Sequence, residues 1–246
     1  MKGINNKPYV DVSQYIDLKK FESLHPNICS GFVQAKNQCE LGLLEVDKSD
    51  QKFINLNLYE ENLKPVYHLY DIYRSMPEDD PVKIAGSMFK DNDLILYLTY
   101  ALGAHNPFKI YSLFDFTKGW ESDKNCRKYS PIAKYFPSVI EWINELEIFS
   151  YIGKAYFLIL EGGGISIEHC DPSNSGKLNE FIHIRPDLSR PFYVKDMNTS
   201  KKFYIDTKAV YFNDQDYHGG DPTPKSTYAL RIDGKFSEKF KKKIWE

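Results

Sequence analysis

No apolar run among the 246 residues approaches the ~20 that a membrane-spanning helix requires, and the first residues lack the apolar segment of a secretory signal. A soluble, intracellular, cytoplasmic-type protein with no membrane partner is therefore expected. Cysteine is scarce. The four residues Cys29, Cys39, Cys126 and Cys170 contain no C-x-x-C pair, and the gap between Cys29 and Cys39 suits neither a zinc knuckle nor a redox motif, so reduced thiols are expected. Excess charge is also missing: a formal balance of −2 gives no electrostatic reason to make nucleic acid the default partner. There is no internal repeat, no low-complexity tract and no clear linker, so residues 1–246 are expected to form one domain. The lysines at 239, 241, 242 and 243 read as a solvated tail and not as a binding patch.

What is present describes a folded protein. A composition 42% hydrophobic and 15% aromatic lies well above that of disordered chains, and the length is ample for a buried core. The first 130 residues read as an α/β extension. They hold a strand at 9–12 and a short helix at 17–24, with His25 in a loop because Pro26 follows it. An alternating strand at 53–59 precedes an aromatic run at 66–73 that fits strand or helix. A helix at 94–102, capped by Asp91 or Asp93 and ended by Gly103, leads to a strand at 109–116 and a polar loop at 119–129. The most regular amphipathic helix is predicted at 137–149, with Pro137 at its first position and Val139, Ile140, Trp142, Ile143 and Leu146 at helical spacing.

The last third alternates with period two. Residues 155–160 form an apolar run ended by Glu161 and three glycines, read as a hairpin connection because no helix signature follows them. Ile165, Ile167 and His169 share a strand face, with Asp171 continuing on it. His183 and Arg185 share another, and residues 210–212 return as a strand into a turn at 213–216 that presents His218. Asp214 and Asp216 read as turn chemistry, and Gly219-Gly220 as backbone freedom after the turn. Thr227, Ala229 and Arg231 share a face, where the arginine must meet an anion or reach solvent, since an unpaired buried charge is very costly. His169-x-Asp171 with His218 far downstream is the ligand set of the two-histidine, one-carboxylate triad that holds non-haem Fe(II) with open positions.

The ordered set His169-Cys170-Asp171, His218 and Arg231 resembles the Fe(II)- and 2-oxoglutarate-dependent dioxygenases. More narrowly it is similar to the aspartyl/asparaginyl β-hydroxylase branch, where a Phe-Asp-Asp-like turn precedes the distal histidine. The resemblance covers roughly the C-terminal third. It implies a mostly β fold with flanking helices: a jelly-roll (double-stranded β-helix, cupin-like) core with its bracing helix in 131–246, carrying the N-terminal α/β extension 1–130. It implies Fe(II) held by His169, Asp171 and His218, 2-oxoglutarate chelating the metal with Arg231 on its far carboxylate, and O2 as oxidant. His183 is placed near the 2-oxoglutarate carboxylate at the metal, with a structural histidine as the alternative. Asp233 stands where some relatives carry Ser or Thr, which leaves Tyr156 or Thr227 as candidates for the second contact to the far carboxylate. Arg185 and Arg190 are candidates for an anionic group of the substrate, with rim salt bridges as the alternative. The implied reaction is hydroxylation or a related desaturation, on an amino-acid side chain of a peptide or protein or on a small metabolite. The other readings are a cupin-like metalloenzyme that does not use 2-oxoglutarate and a non-catalytic barrel used for interaction.

Overall fold

The computed structural model describes residues 1–40, 64–65, 69–88, 104–105, 108–116, 127–160, 166–171, 178–221 and 223–245. Strand β1 (Tyr9–Asp11) is followed by helices α1 (Leu18–Ser23) and α2 (His25–Glu40), then β2 (Lys64–Pro65), α3 (Leu69–Ser75), α4 (Pro81–Gly86), β3 (Ala104–His105), β4 (Phe108–Phe116) and β5 (Arg127–Tyr129). Helix α5 (Pro137–Asn144) leads into β6 (Phe149–Leu160), β7 (Ser166–His169), β8 (Phe181–Ile184), β9 (Phe192–Asp196), β10 (Lys201–Ile205), β11 (Ala209–Phe212), β12 (Tyr217–Gly220), β13 (Thr227–Phe236) and α6 (Glu238–Trp245).

The strands build a jelly roll with flanking helices. Its larger sheet runs β1-β11-β8-β13-β6-β4-β5 and its smaller one β10-β9-β12-β7, and every pairing in both is antiparallel. β1, β4 and β5 widen the larger sheet beyond the strands of the C-terminal half. Alternation along each strand divides its side chains between two environments. On β8, His183 faces a cavity between the sheets, while Ile182 and Ile184 are fully buried in the apolar core. On β6, Tyr156, Leu158 and Leu160 face the cavity, while Ala155 and Phe157 are fully buried.

The flanking helices close that core. α5 begins on Pro137, whose missing N–H falls where no helical bond would form anyway, and it buries Val139, Trp142 and Ile143. It is shorter than its apolar spacing predicts. Glu145 and Leu146 bond back three residues, to Trp142 and Ile143, and such tightened bonds end the helix before the chain enters β6. His25, expected in a loop, instead opens the 16-residue α2. Pro26 is tolerated there because it lies in the first turn, so the extended bias before proline is overridden. Gly31 on this helix lets Phe136 approach: a Cβ there would lie 2.5 Å from the Phe136 ring.

The C-terminal lysines also differ from expectation. They belong to α6, which buries Phe240 and Ile244 and sets Lys241 3.1 Å from Glu180. Arg127–Tyr129, at the end of the expected polar loop, is strand β5. The run at 66–73 is helical where described, from Leu69, whereas the expected strand at 53–59 and helix at 94–102 lie outside the described residues. Among the described residues, no helix is long and apolar enough to cross a membrane, and Cys29 and Cys170 are not disulfide-bonded.

Candidate metal centre

Strands β7 and β12 are antiparallel neighbours, and their register sets His169 directly opposite His218. The two imidazoles face the same side of the smaller sheet, with ring centroids 4.4 Å apart. Asp171, two residues beyond His169, donates its backbone N–H to the Asp214 carbonyl at 2.7 Å, which bends its carboxylate back over the pair. Asp171 Oδ1 lies 3.7 Å from His169 Nε2. One donor atom from each of the three residues falls within 4.8 Å of the others.

Close packing keeps those strands in place. β12 lies between β7 and β9, and a Cβ on Gly219 would come within 3.0 Å of the Ser166 carbonyl and 3.1 Å of the Tyr193 hydroxyl. The glycine pair therefore serves close strand approach, where the sequence suggested backbone freedom. The turn before β12 is tied down as well. The Asp216 carboxylate accepts the backbone N–H groups of Lys2 and Gly3, each at 2.6 Å. Its carbonyl lies 3.0 Å from His218 Nδ1. With the Nδ1 proton donated there, Nε2 is the lone-pair nitrogen turned toward the other two ligands.

The electrostatics suit a cation. His218 is only 4% exposed; burial, reinforced by the charge of His169, lowers its pKa to about 4, so the ring is the neutral form that metals bind. Burial alone would raise the Asp171 carboxyl, but Arg231, His218 and His169 together hold it below its ordinary value. Two imidazoles and one carboxylate at the edge of a cavity are the donor set of a non-haem Fe(II) centre with open positions. The residues fit such a metal.

The cavity, of about 160 Å³, is lined by residues of both sheets, among them Tyr156, His169, Asp171, His183, Arg185, Arg190, His218, Thr227 and Arg231. Every sequence-derived candidate thus reaches its wall. Within it they form different partnerships from those expected. Arg190 donates from Nε to Thr227 Oγ1 at 2.9 Å, and burial lowers its pKa to about 10. Arg185 is lowered to about 10 by burial. Its terminal nitrogens bond the carbonyls of Arg190, Ile205 and Thr207, and its Nε is buried without a partner. His183 stacks on Phe192 at 5.1 Å and 6°, and burial, then Arg185, Arg231 and His218, push its pKa well down. Tyr156 stands opposite Arg231 on β6, and burial raises its phenol.

Arg231 donates to three carboxylates, those of Asp171, Asp214 and Asp233. Asp214 and Asp233 are functional neighbours that the sequence did not mark as such. Period two already put Asp233 on the face of Arg231, a usable signal, whereas nothing local showed that the Asp214 side chain turns inward.

Acidification should destabilise the metal-free protein. An unfolded histidine takes up a proton near pH 6.5 and folded His218 only near 4, so the unfolded chain binds more protons between those values. Stability is full above about pH 6.5 and falls as the pH drops toward 4, by about 3 kcal/mol from this residue. Urea unfolding of chelator-treated protein at pH 7.5 and 4.5 measures the fall, which should shrink in His218→Gln.

No protein-family model matches the sequence, and no curated protein matches it. Among solved structures, the chain is similar to a 2OG-Fe(II) oxygenase family oxidoreductase from Burkholderia pseudomallei, at 10% identity over 52% of this chain and 68% of that one, with a TM-score of 0.35. It is also similar to a Trichoplax adhaerens prolyl hydroxylase, solved with a peptide fragment of the hypoxia-inducible factor oxygen degradation domain, at 17% identity over 55% and 65% with a TM-score of 0.31. A third is an RmlC-like cupin protein from Desulfovibrio desulfuricans, at 15% identity over 37% and 74% with a TM-score of 0.25.

Proposed function

We propose that the protein is a non-haem Fe(II)- and 2-oxoglutarate-dependent dioxygenase. The observation that carries this reading is the convergence of His169, Asp171 and His218, with donor atoms within 4.8 Å of one another, at a cavity between two jelly-roll sheets. Fe(II) held there would couple the oxidative decarboxylation of 2-oxoglutarate by O2, giving succinate and CO2, to hydroxylation of an unactivated C–H bond.

The chain's own part is to bind, orient and exclude water. Asp216 fixes the His218 tautomer, and Arg231 fixes Asp171. Arg190 and Thr227, already hydrogen-bonded to each other, form a cationic and hydroxyl pair suited to a carboxylate of the co-substrate. Arg185 adds a second buried cation in the same wall, and His183, held neutral, offers a ring nitrogen without adding charge. Leu158, Leu160, Phe192 and Phe212 supply the apolar lining that keeps water from the reacting carbon. A second cleft, of about 570 Å³ and sharing Asp187, Thr227 and Tyr228 with the metal cavity, gives room for the substrate, an amino-acid side chain of a peptide or protein or an amino-acid-like metabolite.

The test is succinate formation by purified protein supplied with candidate substrates. Release that requires Fe(II), 2-oxoglutarate and O2 together is expected, with a +16 Da product in the mass spectrum. One observation favours a second reading, a cupin-like metalloenzyme that does not use 2-oxoglutarate: Arg231, the expected anchor, is already paired. Stoichiometric metal binding with no 2-oxoglutarate binding would select it.

A further inference from the structure

Arg231 is 8% exposed and its guanidinium is almost fully committed. Of its five N–H donors, Nε points at Asp233, 3.1 and 3.2 Å from the two oxygens. Nη2 donates to Asp233 at 2.9 Å and to Asp214 at 2.7 Å, and Nη1 to Asp171 Oδ2 at 2.9 Å. The central carbon of the group lies over the ring of Phe181, 3.9 Å from its centre. Asp214 is itself fully buried and held by Asn179 at 3.0 Å. It grips Asp171 twice, directly through its carbonyl on the Asp171 N–H and indirectly through Arg231.

We infer that Arg231 is a positioning residue for the metal-binding carboxylate and not the anchor of the co-substrate. The inference rests on the metal-centre reading above. Arg231 engages Asp171 Oδ2 and leaves Oδ1, the oxygen nearer His169, for the metal, which favours one-oxygen ligation. The arginine also sits beside a metal ligand, the wrong place for the far end of a molecule that chelates the metal with its near end. Three carboxylate side chains already share this one guanidinium, which leaves it little donor capacity for a fourth. Thr227, four residues from Arg231 on the same face of β13, is hydrogen-bonded to Arg190, and both line the same cavity, where they offer the far carboxylate a hydroxyl and a cation.

The test compares wild type with Arg231→Lys, which keeps the charge but cannot reproduce the planar fork. Chelator-stripped protein is titrated with Mn(II), the Mn(II)-saturated protein with 2-oxoglutarate, and the Co(II)-loaded protein is examined by visible absorption. Arg231→Lys is expected to weaken Mn(II) about 10–100-fold, the usual cost of losing an outer partner of a metal ligand. The Co(II) bands should shift as Asp171 changes its ligation, while 2-oxoglutarate affinity stays within about threefold. A purely structural arginine would lower the melting temperature and leave the Co(II) spectrum of the folded fraction alone. Should Arg231→Lys fail to fold, Asp214→Asn carries the same expectation in weaker form. Unchanged Mn(II) affinity and Co(II) spectrum overturn the inference, as does a tenfold or greater loss of 2-oxoglutarate affinity in the Mn(II)-saturated variant. Wild-type protein that binds Mn(II) but not 2-oxoglutarate ends the co-substrate reading alone; wild type that binds no Mn(II) ends both.

Discussion

Replacing His218 with alanine should strip the protein of its divalent metal. The imidazole is the one ligand that β12 contributes, and its orientation is set by the carbonyl of Asp216 at 3.0 Å. Without it, His169 and Asp171 remain, two donors on a single strand end where water competes for the cation. The loss should exceed the about 10–100-fold typical of outer-shell changes, and metal-dependent turnover should disappear with it. The apo fold should survive, because the truncation removes a desolvated, neutral ring that already borders a cavity. Metal content after dialysis against Mn(II), read beside circular dichroism, checks both halves. A His218→Ala protein that keeps wild-type metal stoichiometry would mean that the three donors do not form the centre.

The second large effect lies away from the chemistry. Phe157→Ala should lower stability by about 3–5 kcal/mol, the range for losing a phenyl group from a packed core. Phe157 is 0% exposed and touches the rings of Phe32, Phe136 and Tyr228 at 5.0, 5.2 and 5.9 Å. It thereby joins α2 and the approach to α5 to strands β6 and β13. At roughly 2–4 °C per kcal/mol for a chain of this size, the melting temperature should fall by roughly 6–20 °C. Its side chain points away from the cavity that Tyr156 and Leu158 line, so Mn(II) affinity measured at 10 °C should change less than about twofold. A folded Phe157→Ala protein with collapsed metal affinity would show that core and centre are not separable as described.

The legible part of this chain is the part where spacing alone fixes geometry. Period two put His169 and Asp171 on one strand face and Thr227, Ala229 and Arg231 on another, and the structure sets them around one cavity. The helix at Pro137 was readable from its apolar stripe, but its end was not, because a tightening of the last turn at Glu145 and Leu146 leaves no mark in the spacing. α2 stayed hidden because its sequence carries a weak stripe and begins beside a proline, whose local bias points the other way. The partners of Arg231 were harder still. A buried arginine announces that it needs an anion, yet whether that anion is a ligand or an aspartate 17 residues upstream depends on where a turn aims its side chain, and that is decided by tertiary packing.

The cross-strand pairing of His169 with His218 bears on how such a centre is assembled. Neither histidine has the other for a neighbour until the smaller sheet zips, the 48 residues of intervening chain having first found their places. A divalent cation bound there would find its full ligand set only once these strands have paired, so loading should follow folding, at a rate set by how readily the ion reaches the cavity.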